Sequence, residues 1–117
     1  MFINLSNHPS ADWSGEQLAA VRRYGEVVDL PFPVIAPECS KEDILQLVEE
    51  YVASVLKMKQ GDLTVHVMGE MTFTYNLVKA LQEKGILCVA STTVRNAVMT
   101  PDGRKVSEFR FVQFREY

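Results

Sequence analysis

The residues best suited to chemistry sit where apolar strand-like runs give out, in three short polar stretches. They are Ser6-Asn7-His8, Gly69-Glu70-Met71-Thr72-Phe73-Thr74 and Ser91-Thr92-Thr93. Hydroxyls, amides and a histidine in such places suit an anionic or nucleotide ligand. Gly69 lets backbone approach closely, and the amides of Met71 to Thr74 open a helix that can face a negative charge. Thr72 or Thr74 supplies a hydroxyl, either as the helix N-cap or as a ligand donor. Glu70 has two readings, an acid–base group or a carboxylate placed to satisfy the helix dipole, and the second is favoured.

His8 is the one proton carrier near neutral pH that these stretches offer, with a solvated loop histidine as the alternative. His66, flanked by Val65 and Val67, reads instead as a packed, hydrogen-bonded histidine. Ser91, Thr92 and Thr93 with Arg95 form a cradle for phosphate or ribose, or else plain strand-end polarity beside a surface arginine. Trp13 and Phe73 can stack a base or anchor the core. In the last strand, Phe109 and Phe111 share one face while Arg110 and Val112 share the other, which suits core or dimer interface. The chain contains no GxxxxGK[ST] and no GxGxxG, and no Ser/His/Asp set, carboxylate pair or metal cluster stands out from spacing.

These residues must be positioned by alternating strands and helices. Phe2 to Ser6 is strand-like, and a helix starts at Ser14, with Gln17 as capping-box partner and Gly25 as its stop. Glu26 to Leu30 is a second strand, closed by Pro31-Phe32-Pro33. Ser40 caps a second helix whose apolar stripe runs through Ile44, Leu47, Val48, Tyr51, Val52, Val55 and Leu56. From Leu63 to Thr93 come a strand to Met68, a helix from about Thr74 to Lys84, and a strand from Ile86 to Ala90. Arg95 to Met99 and Lys105 to Phe114 flank Thr100-Pro101-Asp102-Gly103-Arg104, a turn signal for an antiparallel hairpin. The pattern predicts an α/β Rossmann-like, mostly parallel sheet of order 2-1-3-4, with helices on both faces and the hairpin at its edge, in a single domain over 1–117. Ligands bind outside the carboxyl ends of such strands, at the point where the order reverses. Here that is the crevice between strands one and three.

A formal net charge of −3 argues against general DNA binding, which needs a basic face. Two distant cysteines, Cys39 and Cys88, fit a reducing cytoplasm rather than a disulfide scaffold. The opening Met1-Phe2-Ile3-Asn4-Leu5 reads as a strand rather than a signal peptide, and no apolar run is long enough to span a membrane.

The opening INLSNHPS with Trp13, the turn MGEMTFT, the exit ASTTVR and the ending FRFVQFREY resemble small CRISPR-associated proteins with a Rossmann-like nucleotide-sensing (CARF-like) fold. The likeness spans nearly the whole chain in order of elements. It implies a homodimer whose site straddles a two-fold axis and binds a cyclic oligoadenylate. Short stand-alone members are similar to ring nucleases, which cleave this messenger without a metal or cofactor and switch off type III CRISPR signalling in antiviral defence. A ribose 2′-hydroxyl attacks the adjacent phosphate while the protein aligns the groups. The resemblance implies His8 as general acid or base and Arg95 as its electrostatic partner. Ser6, Asn7, Trp13, Gly69, Glu70, Thr72, Thr74, Ser91, Thr92 and Thr93 would hold the ligand. A non-catalytic nucleotide-binding regulator and a structural dimerising or docking protein are the alternatives.

Overall fold

The computed structural model describes residues 1–117. In chain order the elements are β1 (Phe2–Ser6), α1 (Gly15–Val21), β2 (Val27–Asp29), α2 (Lys41–Met58), β3 (Thr64–Met68), α3 (Met71–Glu83), β4 (Leu87–Met99) and β5 (Lys105–Glu116). Short 3-10 turns at Ser10–Asp12 and Arg22–Tyr24 flank α1. The sheet order is β2-β1-β3-β4-β5: the first four strands are parallel and β5 is antiparallel to β4. This is the α/β architecture expected, with the strand order expected.

The two faces of the sheet bury different chemistry. Ile3, Leu5, Val65, Val67 and Cys88 point toward α2 and α3, where they meet Ile44, Val48, Val52, Val55, Phe73, Leu77 and Leu81 in an aliphatic core. The alternate strand residues point the other way, and there Phe2, Trp13, Val21, Val89, Phe111 and Phe114 form a smaller, largely aromatic cluster under α1. Every residue of β1 is buried, as a strand covered on both sides must be.

Local signals set the helix ends. Ser40 and Asp43 close a reciprocal capping box on α2, with Asp43 N–H donating to Ser40 Oγ at 3.1 Å and Ser40 N–H to Asp43 Oδ2 at 2.9 Å. Ser14 accepts from Gln17 N–H at the start of α1. Helix α3 ends in a Schellman motif: Gly85 (φ +74°) donates to Gln82 O and Ile86 to Leu81 O, with Leu81 and Ile86 both buried.

The fourth and fifth strands differ from expectation. Ser91-Thr92-Thr93 does not end a strand. It lies inside β4, which runs unbroken through 13 residues. The reason is pairing with β5, since Ser91 faces Phe114, Thr92 faces Gln113 and Thr93 faces Phe111. Val112 is skipped between the last two pairs, so β5 carries a bulge. Residues three apart on a regular strand face opposite sides; the extra residue turns Phe111 and Phe114 onto the same side, into the aromatic cluster. Phe109 keeps the face of Phe111, as expected, but lies farther out on the hairpin, beyond the core, and is 67% exposed. Beyond the bulge, β4 and β5 leave the sheet as a two-stranded ribbon, closed by Thr100–Arg104 with Gly103 at φ +85°. No helix is long and apolar enough to cross a membrane.

Candidate functional site

A row of polar side chains crosses the aromatic side of the sheet from β2 to β4. Asn4 is its hub. Asn4 Nδ2 donates to Asp29 Oδ1 and to the His8 carbonyl, each at 2.9 Å. Both partners can only accept, so the amide orientation is fixed and Oδ1 faces the other way. There it accepts from Ser6 Oγ at 2.8 Å and lies 2.9 Å from His66 Nδ1. Asn4 Oδ1 has no proton to give, so Nδ1 carries the hydrogen and Nε2 presents a lone pair. Ser91 Oγ stands 3.2 Å from that Nε2. It also lies 2.8 Å from Met68 Sδ.

His66 is only 2% exposed. Phe2 stacks on it (ring centres 6.1 Å, 21°), and Trp13 and Phe114 meet it edge-on at 5.8 and 5.5 Å. Burial among these rings, reinforced by the charge of nearby His8, pushes its pKa down to about 4. The imidazole is therefore neutral at physiological pH, with its tautomer set by Asn4. Burial likewise pushes the Cys88 thiol up to about 12, leaving it inert, while Cys39 is exposed.

The loop after β1 is tied down by its own main chain. The His8 carbonyl accepts from Asn4 Nδ2 and, at 3.1 Å, from Trp13 Nε1, and His8 N–H donates to Ser6 Oγ. Asp29 anchors the next residues by accepting from the Ser10 amide and hydroxyl. With its backbone fixed, the exposed His8 ring faces a cleft of about 530 Å³. Ser6, Asn7, His8, Trp13, Gly69, Ser91 and Thr93 all line that cleft, together with His66, Met68, Gln17 and Phe109. Asn7 and Gly69 stand at its wall, where the β1–β3 pairing ends at Ser6 and Met68.

The remaining predicted residues lie elsewhere, for visible reasons. Glu70, not Thr72 or Thr74, is the N-cap of α3, and its carboxylate accepts from Thr72 N–H at 3.0 Å and Phe73 N–H at 2.8 Å. Those two bonds and the Thr72 hydroxyl hold the Glu70 carboxyl below its usual range, the Phe73 amide being the largest cause. The helix amides expected to face an anion are thus already satisfied from within. Thr72 opens onto the far side of α3, beside Cys39 and Ser40. Thr74 is buried with its hydroxyl unpartnered, against a separate cleft of about 680 Å³ between α3 and Tyr117. Phe73 is fully buried between Phe32 and Tyr51 and is not available to a base. Thr92 bonds to the Gln113 backbone, and Arg95 binds Ser107 Oγ at 3.0 and 3.1 Å out on the ribbon.

Gly69 has a tighter role than ligand approach. A Cβ there would fall 2.3–2.6 Å from the ring of Phe32, which itself packs edge-on against Phe73 at 5.2 Å. Gly69→Ala must therefore expel Phe32 or shift the turn, and a loss of about 1–3 kcal/mol is expected in urea unfolding. A change below 0.5 kcal/mol would mean that the ring moves freely.

Spacing alone did not reveal Asn4, Asp29 or the link from His66 to Ser91. One signal was present: Asn4 and His66 are single polar residues inside apolar runs, and parallel pairing sets them side by side. No group of three or more His, Cys, Asp or Glu side chains converges as a metal-ligand set. A family model described as "Uncharacterized protein MJ1673 family" matches residues 1–115, and the chain belongs to that family. No curated protein and no solved structure matches it.

Proposed function

We propose that this member of the MJ1673 family binds a cyclic oligoadenylate, or a similar small nucleotide, in the cleft where β1 and β3 end, and cleaves it as a ring nuclease. The observation that carries the reading is the convergence of Asn7, His8, Gly69, Ser91 and Thr93 on one cleft at the point where the strand order reverses. The Ser91 and Thr93 hydroxyls suit a phosphate, and Trp13, 8% exposed, lines the same cleft. His8 supplies the proton. Its ring is exposed, while its main chain is held by hydrogen bonds with Asn4, Ser6 and Trp13. Arg95, bound to Ser107 on the ribbon, acts on the ligand only if a second copy brings it across.

A homodimer also fits the size of the cleft. At about 530 Å³ it matches a ligand of drug-like size rather than a ring of several nucleotides. Two clefts facing across a two-fold axis would share such a ring. The ribbon favours the same assembly: Val94, Val98, Met99, Val106, Phe109 and Val112 are all more than 40% exposed on it. A lone two-stranded ribbon is marginally stable in water, and a second copy would cover it.

Purified protein mixed with cyclic tetra-adenylate in EDTA is expected to give shorter products. His8→Ala should slow turnover about 10²-fold or more with little change in affinity by calorimetry. Binding with intact ligand recovered would make the protein a sequestering regulator instead. No binding at any ring size would remove the reading.

A further inference from the structure

We propose that Ser91, His66 and Asn4 form a nucleophile–base–orienter relay, which lets Ser91 attack a phosphorus ester in the cleft and pass through a covalent seryl intermediate. The inference rests on the cleft being the ligand site, but not on which nucleotide fills it. It gives the displacement to the protein rather than to a ribose hydroxyl.

Three linked distances carry it. Ser91 Oγ is 3.2 Å from His66 Nε2, His66 Nδ1 is 2.9 Å from Asn4 Oδ1, and Asn4 Nδ2 is 2.9 Å from Asp29 Oδ1. A nucleophile bonded to a base, with the base oriented by a third group, is the arrangement that activates a serine on unrelated folds. An amide oxygen suffices as orienter when its own direction is locked, and Asp29 and the His8 carbonyl lock this one. The two ends of the relay differ in exposure. His66 is sealed under Phe2, Trp13 and Phe114, whereas Ser91 is half-buried and opens on the cleft. A purely structural partner for His66 would not need to sit at a cleft wall. The side-chain amide of exposed Asn7 and the Thr93 hydroxyl belong to residues lining the same cleft and can receive charge developing on the phosphoryl oxygens. Burial makes His66 a weak base, but an anion bound beside it favours the imidazolium and strengthens it.

The step balances with water as the only co-reactant. Ser91 Oγ bonds to phosphorus as its proton moves to His66 Nε2. The P–O bond to the leaving alcohol breaks, and that oxygen takes the proton back from Nε2. Water then attacks phosphorus, yields a proton to Nε2, and Ser91 Oγ departs with it.

The test treats the full chain with a fluorophosphonate probe at neutral pH and maps the adduct by peptide mass spectrometry. A single adduct on Ser91 is expected, absent in Ser91→Ala and formed about 10²-fold more slowly in His66→Gln. Because His66→Gln disturbs a buried site, Ser91→Cys gives a second measurement. Its thiol should be alkylated by iodoacetamide about 10-fold faster than the exposed Cys39 of the same molecule. No adduct on Ser91 in folded protein, or a thiol no faster than Cys39, would overturn the relay. The two proposals separate cleanly. Labelling without cyclic oligoadenylate binding removes the ligand reading alone, and binding without labelling removes the relay alone.

Discussion

Acidification from pH 7 to pH 4 is expected to remove about 3 kcal/mol of folding stability through His66 alone. Its pKa is about 4 in the folded chain against the ordinary 6.5, and each unit of difference is worth about 1.36 kcal/mol. Between those values the unfolded chain binds the proton that the folded chain refuses, so stability rises with pH across the window. The contribution is complete above pH 6.5, declines as pH falls toward 4, and changes no further below that. His8 stands nearby, and Asp29 is one hydrogen bond removed through Asn4. Carboxylates such as Glu70, also depressed when folded, lose their contribution at lower pH. Urea unfolding at pH 7, 5.5 and 4, compared with His66→Gln, isolates the histidine. Parallel curves for the two proteins would show that His66 is not the group involved.

Phe2→Ala should cost about 3–5 kcal/mol and disturb the same histidine. Phe2 is fully buried and touches most of the aromatic cluster, with ring centres 5.2 Å from Phe114, 5.5 Å from Tyr24 and 6.2 Å from Trp13. Its face also covers His66. Removing the ring leaves a void directly under the imidazole and admits water, so the pKa of His66 should climb toward 6.5. Phe73→Ala offers the control. Phe73 is equally buried but belongs to the aliphatic core on the other side of the sheet, so its loss should cost a similar amount and leave the His66 titration in place. NMR titration of the two histidines reads both variants. An unchanged His66 titration in Phe2→Ala would refute the view that aromatic burial keeps it neutral.

Features set by neighbouring residues were legible in the sequence. The bounds of β1, the caps Ser14 and Ser40, the stop at Gly85 and the ribbon turn all follow from chemistry within a few residues. Strand order followed from short connections and handedness. Features set by distant partners were not legible. The polar run Ser91-Thr92-Thr93 looks like a strand end because its composition changes, yet composition reports burial, and the strand continues because β5 pairs with it. Likewise Phe111 and Phe114 look opposed until the skipped Val112 is known. Glu70 displaced the threonines as helix cap because its longer side chain folds back onto two amides at once. At the site, His8 was visible as a loop histidine. The relay was hidden because Asn4 and His66 lie 62 residues apart, and only parallel register sets them together.

Strand β4 has its first residues clamped in the sheet and its last ones in solvent, so it behaves as a cantilever. Met99 at the free end lies ten positions beyond Val89, inside the core, a span of about 30 Å at the usual rise. Ser91 sits just past the clamp, close to the fulcrum that the bulge provides. Any molecule gripping the tip would load the strand that carries Ser91 and its contact with His66.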